Sequence, residues 1–285
     1  MKHYLTILLL AIFIFTGCLD ANNNTDCVPV DQTAILAEYA DREGYIKTDS
    51  GLIYKVIDEG DIEIPEDEQY VFVSLKGELV TGDVIEETED EELIFVDRFN
   101  HPQLGLREGV SMMNEGAIYE FVIPPELAFG NNPPVGSIIQ CGAVVVYEVT
   151  LDSFLRDVDT YLEQNAARED VEVTDSGLQY RVIEEGEGET TNQSSTVRVF
   201  YEGKLTNDYV FDSSSGNNPA EFAVSGVIPG FAEGLQLMNE GSTYQFFIPP
   251  NLAYGNDPPI DTRTGILLLP PNVILMFEVE IVEIK

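Results

Sequence analysis

An internal duplication constrains this chain more than any other feature of its sequence. Residues 48–61 and 174–187 share ten identities in fourteen positions, and residues 113–134 and 238–259 share fifteen in twenty-two. The two matches have offsets of 126 and 125 residues, far longer than the roughly 20 to 50 residues of a solenoid repeat. Because a unit of this length can bury a core of its own, the sequence predicts two domains of one fold, at 31–152 and 153–285.

Each repeat begins with a helical pattern and continues with strands. In the second repeat, apolar residues recur at helical spacing from Phe154 to Leu162. Strand-like runs follow at 178–183, 196–201, 242–248 and 273–284, and Pro229 and Gly241 bracket one short helix among them. This pattern predicts an α+β fold, in which an antiparallel sheet packs on a central helix and a short helix precedes each domain.

The first residues are typical of an export signal. Lys2 and His3 precede about thirteen mainly apolar residues, which are too few to span a bilayer as a helix but match the core of a signal peptide. The stretch ends in residues 15–18, Phe-Thr-Gly-Cys, which resemble a bacterial lipobox. That resemblance implies cleavage before Cys18 and lipidation of its sulfur. An ordinary secretory signal with an incidental cysteine is the alternative.

The amino-terminal part is therefore divided into a lipoprotein signal peptide (1–17) and a flexible tether (18–30). Acyl chains on Cys18 would anchor the chain to a membrane, and we expect the periplasmic side of the outer membrane in a bacterial cell envelope. Export also permits a disulfide between Cys27 and Cys141. Two unpaired thiols are the alternative, because sequence supplies no geometry.

The charge balance excludes several classes of function. With 14 basic and 51 acidic residues, the formal net charge is −37, so the chain lacks the basic face that a nucleic-acid-binding protein needs. Two histidines and three cysteines offer few soft ligands, and we expect no metal and no cofactor. The acidic run at 86–92 is interpreted as a solvated loop, and a weak calcium site is the alternative.

Seven short motifs follow one another in the second repeat. They are Val199–Leu205, Val210–Ser214, Phe222, Val227–Phe231, Ile248–Gly255, Pro270-Pro271 and Phe277–Val279. In this order and approximate spacing they resemble the FKBP-type peptidyl-prolyl cis-trans isomerases over about residues 174–285. The resemblance implies about five antiparallel strands wrapped around a short helix, with the substrate pocket between helix and sheet.

The resemblance also implies which residues form the pocket. The catalytic positions would be Tyr201, Phe211, Asp212, Ile228, Tyr254 and Phe277, and the substrate-binding positions would be Phe222, Val227 and Phe231. The Ile228 N–H and the Tyr254 hydroxyl would bond substrate carbonyls. Phe231 would form the floor, where the family usually has Trp. The chain contains no Trp, so we expect weaker macrolide binding than in a Trp-floored relative. Taken singly, most of these residues are compatible with a plain core role.

The same residue types suit rotation about an X-Pro bond. Resonance gives the peptide bond a rotation barrier of about 18–20 kcal/mol, and unaided X-Pro isomerisation is slow enough to limit folding. A dry aromatic pocket favours the twisted transition state, which has lost much of its amide dipole, over the planar and well-hydrated ground state. No nucleophile, metal or cofactor is required.

The first repeat keeps the frame of the motifs but not their pocket residues. Gly77 and the blocks at 113–116 and 123–125 are retained. The pocket positions are changed, and their replacements are Leu75, Ile85-Glu86, residues 102–106 (Pro-Gln-Leu-Gly-Leu), Phe129 and Tyr147. The first repeat is therefore predicted to fold alike but to be a poor or inactive isomerase, which binds client chains, pairs with the second repeat, dimerises or acts as a spacer.

Together these features predict a peptidyl-prolyl isomerase that assists the folding of exported proteins. Its partners would be proline-containing polypeptides, its catalytic domain the second repeat, and its first repeat auxiliary. The alternative is a chaperone or scaffold that binds proline-containing segments and has only vestigial isomerase activity. A carrier of a metal or small molecule is disfavoured by the lack of His and Cys clusters.

Overall fold

A computed structural model describes residues 31–64, 69–88, 94–98, 102–214, 216–260, 262 and 267–285. The chain divides between Phe154 and Leu155 into two compact units, called domain one and domain two below. The predicted signal peptide and tether, with Cys18 and Cys27, lie outside the described residues, as does most of the acidic run. Within the described ranges, no helix is both long and apolar enough to cross a membrane.

Domain one is a twisted antiparallel sheet with a helix on each face. Its elements are α1 (Thr33–Ala40), β1 (Tyr45–Lys47), β2 (Ile53–Asp58), β3 (Tyr70–Leu79), β4 (Val84–Glu87), β5 (Ile94–Asp97), α2 (Leu104–Val110), β6 (Ile118–Ile123) and β7 (Val145–Phe154). The strand order is β1-β2-β6-β7-β3-β4, and β5 also pairs with β3. The long central strands β3 and β7 alternate buried and exposed side chains over part of their length, as expected for a sheet with one face on a core.

Domain two repeats this topology. Its elements are α3 (Val158–Ala166), β8 (Glu172–Val173), β9 (Gln179–Glu184), β10 (Thr196–Lys204), β11 (Val210–Ser213), β12 (Ala220–Ala223), α4 (Pro229–Gln236), β13 (Thr243–Ile248) and β14 (Leu275–Ile284). The order is β8-β9-β13-β14-β10-β11, with β12 on β10. The α+β fold predicted from the sequence is confirmed. Over the described ranges each sheet has seven strands where about five were expected, because two- to four-residue segments at the edges also pair.

The central helix lies unusually close to the sheet in both domains. Gly230 and Gly234 are one turn apart and so lie on the same face of α4. A Cβ atom at Gly234 would lie 2.6 Å from the ring of Phe246, and one at Gly230 would collide with Ile248. Gly105 and Gly109 have the same role in α2. The missing side chains let the helix backbone approach the strand that carries its packing partners.

The short helix that begins each domain covers the opposite face of the sheet. In domain two, Tyr161 and Leu162 of α3 pack with Phe247 and Met276. Neighbouring residues of a strand point to opposite faces, so Phe246 contacts the α4 side while Phe247 contacts α3. In domain one, residues of α1 pack in the same way on Ile53, Val122 and Val144.

One loop of domain one is covalently fixed. Between β6 and β7, the Gly142 N–H donates a 2.9 Å hydrogen bond to the Gly130 carbonyl and closes the neck of the loop. Cys141, beside this neck, is disulfide-bonded. It is the one cysteine among the described residues, and the sequence contains two others, Cys18 and Cys27. A pairing of Cys141 with Cys27 stays a prediction.

Candidate active site

An aromatic cluster lies between α4 and the sheet of domain two, and Phe231 is at its centre. The Phe231 side chain is buried, and its ring centroid lies 4.9 Å from that of Phe277, 5.9 Å from Phe246, 6.2 Å from Phe222 and 6.5 Å from Tyr201. All four rings meet Phe231 at 71° to 89°, which is the edge-to-face geometry that aromatic quadrupoles favour. Phe231 thus lies at the centre of an aromatic cluster between α4 and the sheet.

A glycine in β10 makes room for this cluster. Gly203 pairs with Phe277 of β14 on one side and with Asp212 of β11 on the other. A Cβ atom there would lie 2.8 Å from the rings of both Phe211 and Phe277. These two rings meet edge to face at 5.5 Å across the glycine. A side chain at Gly203 would therefore push apart two of the predicted pocket residues.

Tyr201 and Asp212 form the polar rim of this cluster. The Tyr201 hydroxyl donates a 2.8 Å hydrogen bond to Asp212 Oδ2. Burial, together with the hydrogen bond to Asp212 and its negative charge, raises the pKa of Tyr201 above its usual range. The Tyr201 hydroxyl is therefore a fixed neutral donor, and it orients the exposed carboxylate of Asp212 beside the aromatic walls.

Tyr254 adds a second hydroxyl near the rim. Its side chain is 41% exposed, so the hydroxyl is accessible to a ligand. Burial of part of the ring and the charge of Asp212 raise the pKa of Tyr254. At neutral pH this hydroxyl is a neutral donor in the same electrostatic neighbourhood as Asp212 and Tyr201.

The start of α4 supplies a backbone donor. Ile228 precedes the first helical residue, Pro229, and its carbonyl accepts the Ala232 N–H at 3.0 Å. Within the described part of the chain the Ile228 N–H has no hydrogen-bond partner. A helix begins with unpaired N–H groups, and proline at the next position removes one of them. The Ile228 N–H remains available to a carbonyl from outside the domain.

The structure brings most of the predicted site residues together. Contacts between rings, or the hydrogen bond at the rim, connect Tyr201, Phe211, Asp212, Phe222, Phe231 and Phe277. Tyr254 joins them through its electrostatic coupling to Asp212, while Val227 and Ile228 lie at the start of the helix that carries Phe231. No cluster of His, Cys, Asp or Glu that could hold a metal occurs among the described residues.

Sequence reasoning missed two contributors to this site. Phe246 packs edge to face on the underside of Phe231, and the alternation of apolar residues along β13 is the signal that could have identified it. Ser214 exchanges hydrogen bonds with the Tyr201 backbone, donating its own N–H to the carbonyl at 2.9 Å and accepting the Tyr201 N–H on Oγ at 3.1 Å. Ser214 thereby holds Tyr201 in place from the end of β11.

The equivalent region of domain one is filled by its own side chains. The strand registers place Tyr147 at the position of Phe277 and Glu86 at that of Asp212, each opposite Gly77. Tyr147 is fully buried, and its hydroxyl donates a 3.0 Å hydrogen bond to Glu86 Oε2. Gln103, just before α2, donates from Nε2 to the same hydroxyl at 3.5 Å.

This polar trio stands in domain one where domain two has aromatic contacts. Burial raises the pKa of Glu86, against the opposing effect of the Tyr147 hydrogen bond. Burial and the Glu86 carboxylate also raise the pKa of Tyr147. Leu75, buried where domain two has Tyr201, adds no ring and no hydroxyl. Domain one therefore lacks the arrangement of donors and aromatic walls found in domain two.

Comparison with known proteins gives matches in both domains. The family profile described as FKBP-type peptidyl-prolyl cis-trans isomerase matches residues 62–152 and 187–282, about two thirds of the chain. The profile described as the domain amino terminal to FKBP-type peptidyl-prolyl isomerase matches residues 152–182, which include α3.

Individual relatives match one domain's length of this chain. The FKBP-type 22 kDa peptidyl-prolyl cis-trans isomerase of Escherichia coli (strain K12) is 50% identical over 125 residues, which cover 44% of this chain and 58% of that protein. The outer membrane protein MIP of Legionella longbeachae is 41% identical over 128 residues, which cover 45% and 52%. The chain thus spans about half the length of these curated relatives.

Among solved structures, FkpA from Escherichia coli matches with a TM-score of 0.40 and 38% identity, over 45% of this chain and 57% of that one. Membership of the family is shown by the profile, because it matches both repeats and its two matches together cover most of the chain. This chain belongs to the FKBP-type peptidyl-prolyl cis-trans isomerase family, with two domains of that family in tandem.

Proposed function

We propose that domain two catalyses cis–trans isomerisation of X-Pro peptide bonds and that domain one does not. The observation that carries this assignment is the difference between the two equivalent regions. Domain two has an aromatic cluster with an unpaired N–H at Ile228 and the exposed Tyr254 beside it, within the part of the chain that the structure describes. Domain one has instead the buried Tyr147, hydrogen-bonded to the half-buried Glu86.

The site residues have separate tasks in this proposal. The proline ring of the substrate sits on Phe231, between the walls formed by Tyr201, Phe222 and Phe277. The Ile228 N–H and the Tyr254 hydroxyl bind the carbonyls that flank the bond, so that one side is held while the other turns. Because the twisted amide has lost resonance and much of its dipole, the apolar walls favour it over the planar ground state.

A pair of reciprocal substitutions in the full chain tests the assignment. Phe231→Leu gives domain two the residue that domain one has at Leu106, and Leu106→Phe does the reverse. We expect Phe231→Leu to remove most of the isomerase activity on an X-Pro peptide and Leu106→Phe to leave it unchanged. Activity that survives Phe231→Leu and disappears in Leu106→Phe would assign catalysis to domain one.

The proposed biological setting is the bacterial cell envelope. The lipobox-like residues 15–18 support an anchor at Cys18, and one relative carries the name outer membrane protein. The substrates would be exported, proline-containing polypeptides that are still folding. We expect Cys18→Ala to release the chain from the membrane fraction into the soluble fraction. Continued membrane association of that variant would contradict a lipid anchor.

The loop after Tyr254 is proposed to select the residues that flank proline. Tyr254 lines a small cleft together with Pro258, Leu269 and Pro270. Residues 260–265, Ile-Asp-Thr-Arg-Thr-Gly, have no counterpart in domain one. A set of peptides that vary only at the residue before or after proline would show whether Leu269→Ser changes their relative kcat/KM.

A chaperone or scaffold function is the second candidate, and the replaced pocket residues of domain one favour it for that domain. In this case proline-containing segments would bind without rapid turnover. The absence of activity in the intact chain, combined with binding of proline-containing peptides, would support this candidate over the isomerase.

A further inference from the structure

The loop that closes over Gly130 and Gly142 in domain one, here named the neutral loop (130–142), presents apolar side chains to solvent. Val135 is 92% exposed and Ile138 is 56% exposed. Their exposure is built into an ordered turn, because the Ser137 N–H donates to the Pro134 carbonyl at 3.1 Å and Gly136 has a φ of 82°. These are the features of a type II turn, which places Val135 at its tip.

The neutral loop lies in the longest stretch of the sequence without a charged side chain. Residues 127–147 contain no Asp, Glu, Lys or Arg, whereas the whole chain has a net charge of −37. A strongly acidic protein is repelled from anionic membrane surfaces, and the repulsion is weakest where a surface carries no charge. The neutral loop is therefore the part of domain one best suited to lie against lipid headgroups and to insert apolar side chains between them.

The chain enters domain one beside the same loop. The Val144 N–H donates a hydrogen bond to the side-chain carbonyl of Gln32, at the start of the described residues. Cys141, three residues before Val144, is disulfide-bonded. The segment that carries Cys18 and Cys27 therefore reaches domain one at the base of the neutral loop. If Cys27 pairs with Cys141, about nine residues separate this disulfide from Cys18. A chain of that length can extend over at most about 30 Å.

We propose that the neutral loop is a membrane-contact surface, which inserts Val135 and Ile138 into the bilayer interface when the chain is tethered at its amino terminus. The inference rests on the proposed envelope anchor, but not on isomerase activity. It gives domain one an orienting function, because contact through the neutral loop would hold one face of the domain on the membrane.

The absence of Trp from the chain makes a direct test available. Val135→Trp introduces a single reporter in the neutral loop, and Ile62→Trp is the matched control. Ile62 is 54% exposed and pairs with Glu115 before β6 begins, whereas the neutral loop follows the end of β6. The two reporters are therefore separated by the six-residue strand, about 20 Å. Circular dichroism of both variants checks that the fold is retained.

The tether must not depend on native lipidation. The chain of residues 19–285, with an amino-terminal hexahistidine tag, is bound to phosphatidylcholine vesicles that contain a nickel-chelating lipid. We expect the indole emission of the Val135→Trp variant to shift to shorter wavelength and to be quenched by brominated phosphatidylcholine. The emission of the Ile62→Trp variant should change in neither respect, and Ile138→Trp should behave like Val135→Trp.

Three outcomes would overturn the proposal. If the emission wavelength of both reporters on vesicles equals that in solution, the loop does not enter lipid. Equal quenching of both reporters would show adsorption without orientation. A blue shift of the Val135→Trp reporter without quenching by the brominated lipid would show that the loop contacts protein, such as a second copy of the chain. Because the tag replaces the acyl anchor, none of these results depends on whether Cys18 is lipidated or domain two is active.

Discussion

The Tyr147 hydroxyl donates a 3.0 Å hydrogen bond to Glu86 Oε2, and this pair in domain one has a displaced counterpart in domain two. There, the carboxylate at the Glu86 position is Asp212, but its donor is Tyr201 on β10 rather than a residue of the last strand. In both domains the carboxylate at this position accepts a hydrogen bond from a tyrosine hydroxyl. The tyrosine lies on the last strand in domain one and on β10 in domain two. In domain one the tyrosine ring is fully buried at the position of Phe277, which is also buried in domain two.

Glu86→Gln should stabilise domain one at neutral pH. The Gln carbonyl can still accept the Tyr147 hydrogen bond, while the cost of burying a charge disappears. Burial raises the pKa of Glu86 in the folded state above its ordinary value of 4.5. Below pH 4.5 the group is protonated in both the folded and the unfolded state, so it does not oppose folding. As the pH rises through the folded pKa, folding must bury a charge, and the free energy of unfolding falls. The stabilisation by Glu86→Gln should therefore be present at about pH 7 and vanish at about pH 4.

Urea unfolding of the full chain at both pH values measures this difference. Glu87→Gln, at the exposed neighbouring position, is the control and should show no such difference between the two pH values. An equal effect of Glu86→Gln at neutral and at acidic pH would show that the carboxylate is not the source of the pH dependence.

Tyr254→Phe should lower the isomerase kcat/KM and leave stability unchanged. The variant keeps the ring and loses one neutral hydrogen bond, worth about 0.5–1.5 kcal/mol, which corresponds to roughly a two- to tenfold loss. Tyr180→Phe is the control, because that hydroxyl bonds Glu172 on the edge hairpin, outside the site. Equal rates for the wild type and Tyr254→Phe would remove Tyr254 from the proposed mechanism.

Gly234→Ala should destabilise domain two although alanine is the better helix former. Alanine gains about 1 kcal/mol over glycine in a helix interior. Its Cβ, however, would lie 2.6 Å from the buried Phe246 ring, and such overpacking typically costs about 1–3 kcal/mol. Gly226→Ala is the matched control and should be nearly neutral in thermal unfolding, because its Cβ would approach Ala223 at an unstrained 3.8 Å. A higher melting temperature for Gly234→Ala would show that the helix can shift outward freely.

Phe231→Trp should strengthen binding of the macrolide inhibitors of this family. The larger ring adds apolar area to the floor, and its indole N–H adds a donor. Titration calorimetry on the full chain measures the change, and Leu106→Trp in domain one is the control that should bind no better than the wild type. Weaker macrolide binding by a folded Phe231→Trp variant would show that the four surrounding rings leave no room for an indole.

Patterns local to the sequence predicted the duplication and the α+β class, and the resemblance of its ordered motifs to the FKBP family implied most members of the aromatic cluster. The shared blocks at 113–134 and 238–259 define equivalent positions, and two-residue alternation in the last strand identifies which side chains face the core. The substitutions at the pocket positions of the first repeat were also visible, and they predicted that its site would differ. Such features depend on residues close together in the chain or on an offset that can be counted.

Contacts between distant segments required the folded structure. Glu86 and Tyr147 are 61 residues apart, and only the registers of β4 and β7 on β3 place both beside Gly77. Phe246 lies under Phe231 because two glycines let α4 approach β13, and Gln32 meets Val144 although 112 residues separate them. Side-chain type and spacing set which face of an element is apolar, but the partner of each polar group depends on strand register and helix distance, which are determined by packing of the whole domain.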